Sequence, residues 1–381
     1  MSSHQLRTAA NRLQTWIKND AVPLWLARGI APQLGAHYER LTATGDTDLS
    51  ANTRVRVQAR QAFFYAAAYS RGWCTDGKLK AQQLLAFVNQ HARHPSAVAG
   101  YTHLLDKNFT IIDNKQDLYD HAFFLLAFAW CYRISHDAVY IQQAEQLMVH
   151  LDTAFHSPYG GWVEGDYAYE CRRQNPHMHL LEAFLALYDV TKNSQWLTRA
   201  DEVIHLFEKY FFDADQNVLY EFFQENWQRL PDERGSVVEP GHMLEWVWLL
   251  DAYGQRRQKN MKCYTDGLYA RALTIGISAS GLVLSAVAPD GRVLDANKRC
   301  WGMTEFIKAS LVQMRAGHPQ AEAVAIKAVD DLFRYFLCAS TPGSYIDQRG
   351  VQDEVVVDLA PASTLYHIMV AAMELVDYAA E

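Results

Sequence analysis

Three histidines lie near the beginnings of strongly apolar segments, where each could transfer a proton. His179 lies in NPHMHLLEAFLALY, His242 in EPGHMLEWVWLL, and His367 near the end of the chain. Histidine is the side chain whose ordinary pKa lies closest to neutral pH. Glu182 and Glu245 follow the first two histidines by three residues, so each pair shares one helical face. The spacing predicts buried His–Glu pairs suited to general acid–base catalysis.

A purely structural interpretation is also open for each of these residues. A single histidine in an apolar helix is more often a hydrogen-bonded core residue than a catalyst, and a neighbouring glutamate can simply fix its tautomer. Three histidines at equivalent places favour a shared site instead. Polar residues recur at the same place in this set of apolar segments, namely Arg60, Tyr119, Asn175, Arg299, Trp301 and Glu305. If these segments form one ring, the polar residues converge on one cavity.

The elements that must position these residues are helices of two alternating kinds. Twelve helical segments are predicted, and they cover 4–28, 52–72, 78–93, 118–134, 138–154, 177–191, 194–211, 241–254, 259–278, 300–315, 319–338 and 360–379. Amphipathic helices belong on the outside of a fold, whereas helices that are apolar all round belong inside. The alternation therefore predicts an all-α (α/α)6 barrel. An α-solenoid is the alternative, and the absence of a sequence repeat disfavours it.

The whole chain, residues 1–381, is expected to form this barrel as a single domain, because no linker or composition shift divides it. Long connections at 156–176, 212–240, 279–299 and 339–359 enter the apolar helices, and long structured loops are usually functional. The stretch GLVLSAVAPDGRVLD predicts a β-hairpin around 289–291. We expect short hairpins in these loops to cover one end of the barrel, where the inner helices begin.

Composition excludes several classes of protein. The net charge of −8 and the lack of a basic run argue against nucleic-acid binding, and no apolar run of 18 residues predicts a membrane span. Six scattered cysteines without a C-x-x-C pair indicate neither a zinc site nor a disulfide framework, so we expect a reduced, cytoplasmic location. The N-terminal stretch is amphipathic and is not expected to be a signal peptide.

Cofactor motifs are equally lacking in the sequence. Neither a P-loop nor a G-x-G-x-x-G turn is present, so we expect no cofactor. A di-metal carboxylate site is an alternative, since such sites use Glu-x-x-His pairs on facing helices. The order is reversed here, and we expect no metal.

Several segments together resemble the N-acylglucosamine 2-epimerase superfamily and, within it, the mannose isomerase branch. The resembling segments are VQARQAFFYAAAYSRGW (57–73), YDHAFFLLAFAW (119–130), NPHMHLLEAFLALYDVT (175–191), EPGHMLEWVWLL (239–250), RCWGMTEFIKASL (299–311) and the region of His367. The resemblance covers essentially the whole chain. It implies an (α/α)6 barrel whose members interconvert sugars without a metal or a redox cofactor.

The resemblance also implies catalytic roles. His242 and His367 match the two histidines that serve as acid and base, and His179 matches the histidine associated with ring opening. Glu245 matches an acidic companion, which we expect to orient His242. Arg60 matches the arginine that faces the developing oxyanion.

The same resemblance implies contacts to the sugar. Tyr119, Asn175 and Trp301 match sugar-binding residues, and Glu182 matches an acidic companion at the substrate site. Arg234 is a looser match, because the loop before His242 varies in length. The residues 363–366 lack an amide that some relatives use for the sugar.

The expected reaction is reversible isomerisation of D-mannose to D-fructose through a cis-enediolate, with D-lyxose to D-xylulose as a side activity. The choice of isomerase rests on the resemblance, because a sugar 2-epimerase would use the same residues. A glycoside hydrolase would need a carboxylate pair, for which Glu182, Glu245 and Glu305 are candidates. A non-catalytic carbohydrate-binding protein is the remaining alternative. The expected partner is a small monosaccharide, and a homo-oligomer is compatible with the sequence.

Overall fold

A computed structural model describes residues 3–96 and 99–381, and helices dominate both ranges. The α-helices in chain order are α1 (His4–Thr15), α2 (Val22–Arg28), α3 (Val55–Ser70), α4 (Gly77–His91), α5 (Leu118–Ser135), α6 (Val139–Ala154), α7 (Asn175–Thr191), α8 (Ser194–Leu206), α9 (Pro240–Arg257), α10 (Lys262–Ile275), α11 (Cys300–Arg315), α12 (Ala321–Tyr335) and α13 (Leu365–Ala380). Short 3₁₀ turns lie at Glu233–Ser236 and Ala362–Thr364.

Six of these helices form a closed inner ring. Each of α3, α5, α7, α9, α11 and α13 packs against the next, and α13 returns to pack against α3. The helices α1, α4, α6, α8, α10 and α12 pack outside them. The prediction of an (α/α)6 barrel is therefore confirmed. One hydrophobic cluster runs from Leu6 to Leu375, but the single-domain assignment stays a prediction.

The distribution of apolar residues explains which helices lie inside. The inner helix α5 buries side chains around its whole circumference, including Phe123, Phe124 and Phe128. By contrast, α8 buries one stripe and exposes the other face to solvent. A helix without a polar face has no stable place at the surface, so α5 occupies the inner ring.

Short strands tie together the loops that precede the inner helices. The strands are β1 (Arg40–Thr42), β2 (Thr53–Arg54), β3 (Leu104–Leu105), β4 (Ile111–Asp113), β5 (Arg172–Arg173), β6 (Phe212–Asp213), β7 (Val218–Leu219), β8 (Phe222–Phe223), β9 (Ala286–Val287), β10 (Val293–Asp295), β11 (Lys298–Arg299), β12 (Gln348–Arg349) and β13 (Leu359–Pro361). The predicted hairpin is confirmed as β9 paired antiparallel with β10.

These pairs fix the loops over the end where the inner helices begin. Strand β5 directly precedes α7 and pairs with β8, and β11 directly precedes α11 and pairs with β12. Strand β2 leads into α3 in the same way. Since each pair joins distant parts of the chain, the loops are held as a layer above the barrel.

The first predicted helix differs from the structure. The segment 4–28 is not one α-helix, because a π-helical stretch, Trp16–Ala21, separates α1 from α2. Pro23 lacks an N–H and cannot donate to the carbonyl four residues earlier. The N–H of Val22 bonds to the carbonyl of Ile17, five residues back, which is the wider π-type turn.

None of the helices in the described ranges is long and apolar enough to cross a membrane.

Candidate active site

A polar cavity of about 210 Å³ opens at the N-terminal ends of the inner helices. All six inner helices or the residues just before them contribute to its wall. The lining residues are Arg54, Arg56, Arg60, Tyr119, Asn175, His179, Glu239, His242, Glu245, Arg299, Trp301, Ser363, Thr364 and His367. Eight of the ten residues expected at the site are among them, and Glu182 and Arg234 are not.

His242 lies in the first turn of α9 and is held as a cation. Pro240 is well suited to this helix start, because its missing N–H would be unpaired there anyway. The His242 Nδ1 atom lies 3.0 Å from Glu221 Oε2 and 3.3 Å from Glu239 Oε2. Burial alone would lower the pKa of His242, but these two carboxylates outweigh it and raise the pKa to about 10. His242 is therefore protonated at neutral pH and can act as an acid.

His367 lies in the first turn of α13 and has the opposite protonation. Its Nδ1 atom lies 2.9 Å from Glu305 Oε1, so this carboxylate can hold the ring proton at Nδ1. Burial, with the positive charges of Arg60 and Lys308, holds the pKa of His367 well below its ordinary value. The ring is neutral, and Nε2 is left as a base at the cavity.

His179 is the third histidine of the cavity, and Glu182 lies behind it. Its ring centre is 6.4 Å from that of His367. The Nδ1 atom of His179 lies 3.3 Å from Glu182 Oε2, which also accepts a hydrogen bond from Tyr366 Oη. Burial lowers the pKa of His179 and raises that of Glu182 to about 7.

The expected contact of Glu182 with the sugar is corrected by this arrangement. Glu182 does not line the polar cavity but lines a second one, of about 250 Å³, at the other end of the barrel. The reason is its position one turn deeper in α7, where the ring of His179 separates it from the polar cavity.

The expected pairing of Glu245 with His242 also requires correction. Glu221 and Glu239 occupy the Nδ1 side of His242, whereas a Glu245 oxygen lies 4.0 Å from Nδ1 of His179. Both oxygens of Glu245 are buried without a hydrogen-bond partner among the described residues. Burial and the charge of Glu305 raise the pKa of Glu245 well above its ordinary value. Its surroundings at the cavity wall therefore favour the neutral form of Glu245.

Arg60 supplies a fixed positive charge at the cavity. Its guanidinium donates to Tyr119 Oη at 2.5 Å and to the carbonyl of Ser363 at 3.1 Å, and it lies 4.0 Å above the ring of Phe123. In the described ranges no carboxylate approaches it as an ion pair, unlike the other cavity arginines. The charge therefore remains available to an oxyanion.

Trp301 and Asn175 provide surfaces for a polyhydroxylated ligand. The Trp301 ring lies against both His242 and His367, with ring centres 5.1 and 5.7 Å apart. The Asn175 Oδ1 atom is buried and has no hydrogen-bond partner in the described part of the chain. Both residues can therefore serve a polyhydroxylated ligand, the ring as an apolar face and the amide oxygen as a hydrogen-bond acceptor.

Arg234 lies outside the cavity, so its expected placement is also corrected. It belongs to an exposed 3₁₀ turn and pairs with Asp232 at 2.8 Å and Glu170 at 2.9 Å. These surface carboxylates hold the guanidinium in the loop layer.

Sequence reasoning missed three acidic or basic residues that organise the histidines. Glu239 could have been found, because it precedes His242 by three residues in EPGH. Lys308 was also visible as a lone charge in the apolar stretch EFIKASL, three residues after Glu305. Glu221 carried no such signal, since it comes from a loop 21 residues before His242.

Some of these groups could in principle hold a cation. Three sets bring donor atoms within 4.8 Å of one another: His179, Glu182 and Glu245; Glu221, Glu239 and His242; and Glu245, Glu305 and His367. The protonated ring of His242 and the Lys308 ammonium already supply positive charge to the second and third sets. We therefore assign the residues of the second and third sets to proton transfer and its support.

Comparison with known proteins agrees with this geometry. The family model for N-acylglucosamine 2-epimerase (GlcNAc 2-epimerase) matches residues 36–371. The chain is 33% identical over 381 residues to a mannose-6-phosphate isomerase of Rhizobium meliloti (strain 1021), covering 97% of both chains. It is 28% identical to a D-mannose isomerase of Marinomonas mediterranea, covering 70% of this chain and 71% of that one.

A solved structure shares the fold as well. The cellobiose 2-epimerase of Bacillus thermoamylovorans B4167 superposes with a TM-score of 0.86 at 19% identity, covering 97% of this chain and 99% of that one. The chain belongs to the N-acylglucosamine 2-epimerase family, and it is an enzyme of this group of sugar isomerases and epimerases.

Proposed function

We propose that this enzyme interconverts free D-mannose and D-fructose, with D-lyxose and D-xylulose as a second pair. The observation that carries the proposal is that two histidines with different carboxylate partners face one cavity. His242 is cationic and His367 is neutral, and Trp301 contacts both rings. An acid and a base held together are what proton transfer between adjacent sugar carbons requires.

The reaction begins with opening of the pyranose ring. His179, whose Nδ1 atom faces Glu182, takes the proton from O1 and delivers one to O5. His367 then removes the C2 proton, and the electron pair forms the enediolate. Arg60 stabilises the negative oxygen, since no carboxylate of residues 3–96 and 99–381 pairs with its guanidinium. His367 returns the proton to C1, while His242 moves the proton between O1 and O2.

A sugar 2-epimerase is the second candidate, and the cellobiose 2-epimerase fold supports it. If His242 instead delivered a proton to C2 from the opposite face, the product would be glucose. The same two histidines would serve both reactions. We favour isomerisation because relatives that cover 97% and 70% of this chain carry isomerase names, whereas a relative named cellobiose 2-epimerase covers 62% of it.

The charges around the cavity favour an unphosphorylated sugar. Arg56 is paired with Asp120 at 2.6 Å, and Arg299 is paired with Asp347 at 3.0 Å. Arg54 is likewise paired with Glu39. A phosphate dianion would have to compete with these carboxylates, and Arg60 is committed to the reacting oxygens.

Incubation of D-mannose with the enzyme in D₂O, followed by NMR, tests the reaction. Fructose is the expected product, with deuterium at C1 to the extent that His367 exchanges its proton with solvent before it returns one to C1. Glucose with deuterium at C2 and little fructose would assign the enzyme to the epimerases. Hydrolysis of disaccharides, or no turnover of any sugar, would refute both candidates.

Parallel kinetics with mannose 6-phosphate test the choice of substrate. We expect kcat/KM for free mannose to exceed that for the phosphate ester by at least about tenfold, the ratio given by one lost charge-assisted contact. A preference for the phosphate ester would refute the proposal of a free sugar.

A further inference from the structure

Lys308 is a buried lysine that the proposed reaction does not use directly. Its side chain is fully buried in α11, and its ammonium lies 3.9 Å above the ring of Trp248. A lone buried ammonium is costly, so a lysine in this position requires a carboxylate partner. That partner is Glu305, whose Oε2 atom lies 2.6 Å from Lys308 Nζ.

Glu305 joins Lys308 to the base of the reaction. Its other oxygen, Oε1, lies 2.9 Å from Nδ1 of His367. Lys308 and Glu305 are completely buried. Of these two residues and His367, only His367 lines the polar cavity. The order Lys308–Glu305–His367 therefore runs from the interior of the barrel to the reacting atoms.

We propose that Lys308 is a positioning residue that keeps Glu305 ionised, so that Glu305 holds the His367 proton at Nδ1 and leaves Nε2 free as the base. The proposal rests on the proposed function, because it assigns the base role to His367. Among the described residues, Lys308 is not part of the cavity wall; it pairs directly with Glu305, and its charge also helps to hold the pKa of His367 down.

The surroundings of Glu305 explain why a cation is needed there. The charged or titratable groups that face it come from four inner helices and are Lys308 from α11, Glu182 and His179 from α7, Glu245 and His242 from α9, and Tyr366 and His367 from α13. Burial raises the pKa of Glu305, and the Lys308 ammonium opposes this rise. Without that charge Glu305 would take up a proton, and the neutral carboxyl group could then donate a hydrogen bond to Nδ1 of His367. The His367 ring would then carry its proton on Nε2, and this atom could no longer accept the proton from C2 of the sugar.

The Lys308→Met variant tests the proposal by kinetics. We expect kcat at pH 7 to fall on the order of 10²-fold, as for lost acid–base catalysis, with KM nearly unchanged. The acidic limb of the kcat/KM profile should move to higher pH by about one to three pH units, the usual effect of losing a nearby opposite charge. Lys308→Arg keeps the charge and should restore the position of the limb. Lys262→Met, at a half-exposed lysine of α10, is the control and should leave the profile unchanged.

Nitrogen-15 NMR of labelled histidine gives a readout that needs no turnover. In the sugar-free enzyme at pH 7, we expect the His367 proton on Nδ1, with His367→Gln used to assign the signals. In Lys308→Met the proton should shift to Nε2. A wild-type His367 ring already protonated at Nε2 would overturn the proposal even if the variant failed to fold.

An unchanged His367 tautomer and an unchanged acidic limb of the kcat/KM profile in folded Lys308→Met would overturn it too. If mannose is not turned over but the tautomers behave as expected, the proposed function fails and the role of Lys308 in orienting His367 stands.

Discussion

His242 and His367 face the same cavity, yet their carboxylate partners give them opposite charges. Two carboxylates approach Nδ1 of His242, whereas His367 has one partner, Glu305, that is already paired with Lys308. The net negative charge beside His242 favours its cation, and the balanced charge beside His367 does not. The number of partners thus separates the acid from the base.

Removal of the imidazole ring of His242 or of His367 should abolish most of the activity. We expect His242→Ala and His367→Ala each to lower kcat on the order of 10²- to 10⁴-fold, because each removes one proton-transfer group. Steady-state kinetics with mannose measure the loss. His205→Ala, at an exposed position of α8, is the control and should retain full activity. A loss below about tenfold in either cavity variant would contradict the acid–base assignment.

Glu221 should set the pH at which activity declines on the alkaline side. Replacing it by Gln removes the carboxylate nearest to His242, so the pKa of His242 falls from about 10 towards its ordinary value. The basic limb of kcat/KM should therefore move to lower pH by about one to three units. The pH profile of Glu221→Gln, compared with exposed Glu233→Gln, measures the shift. If the basic limb did not move, His242 would not be the acid.

The start of α9 is the element that brings His242 against Trp301. A Cβ atom at Gly241 would lie 2.6 Å from two ring atoms of Trp301, closer than atoms can pack. Glycine is therefore required here for the close approach of α9 to the first turn of α11.

Gly241→Ala should displace Trp301. We expect a loss of about 1–3 kcal/mol in the free energy of unfolding, as for overpacking, together with a lower kcat/KM. Urea unfolding and kinetics measure both effects. In a Trp301→Phe background a single ring replaces the two fused rings of the indole. Gly241→Ala should therefore lower the free energy of unfolding by less in that background. Equal costs in both backgrounds would show that the tryptophan does not set the requirement.

At the scale of the whole molecule, buried histidines should couple stability to pH. Burial lowers the pKa of His37 from 6.5 to about 4, so between these values the unfolded chain binds a proton that the folded chain does not. The contribution of His37 to stability therefore falls as the pH falls from 6.5 to 4. Carboxyl groups with raised pKa values, such as Glu182, contribute in the opposite direction, so urea unfolding at pH 7 and pH 5 is compared between the wild type and His37→Gln. His37→Gln should lose part of this dependence, and an unchanged slope would contradict the assignment.

The barrel should also work without a bound metal. The Lys308 ammonium and the protonated His242 already place positive charge beside the buried glutamates, where a bound metal ion would otherwise supply it. We expect full activity after exhaustive dialysis against EDTA, measured with mannose. Loss of activity that a divalent ion restores would instead favour a metal site among these carboxylates.

The alternation of amphipathic and apolar helices was enough to predict the (α/α)6 barrel, because burial of apolar faces depends on local patterns. The same reasoning located His179, His242 and His367, since all three occupy the first turns of inner helices. The assignment of the chain to a single domain stays a prediction, and so does a cytoplasmic location.

Only the tertiary structure decided which carboxylate meets which histidine. Helical spacing predicted that Glu245 orients His242, but Glu221 reaches it from a loop and Glu245 turns towards His179. Likewise, Glu182 lies behind its histidine, and Arg234 remains in the loop layer. Spacing along one helix fixes which residues share a face. It does not fix what the other five helices and the loops place opposite that face, and these opposing charges determine each pKa.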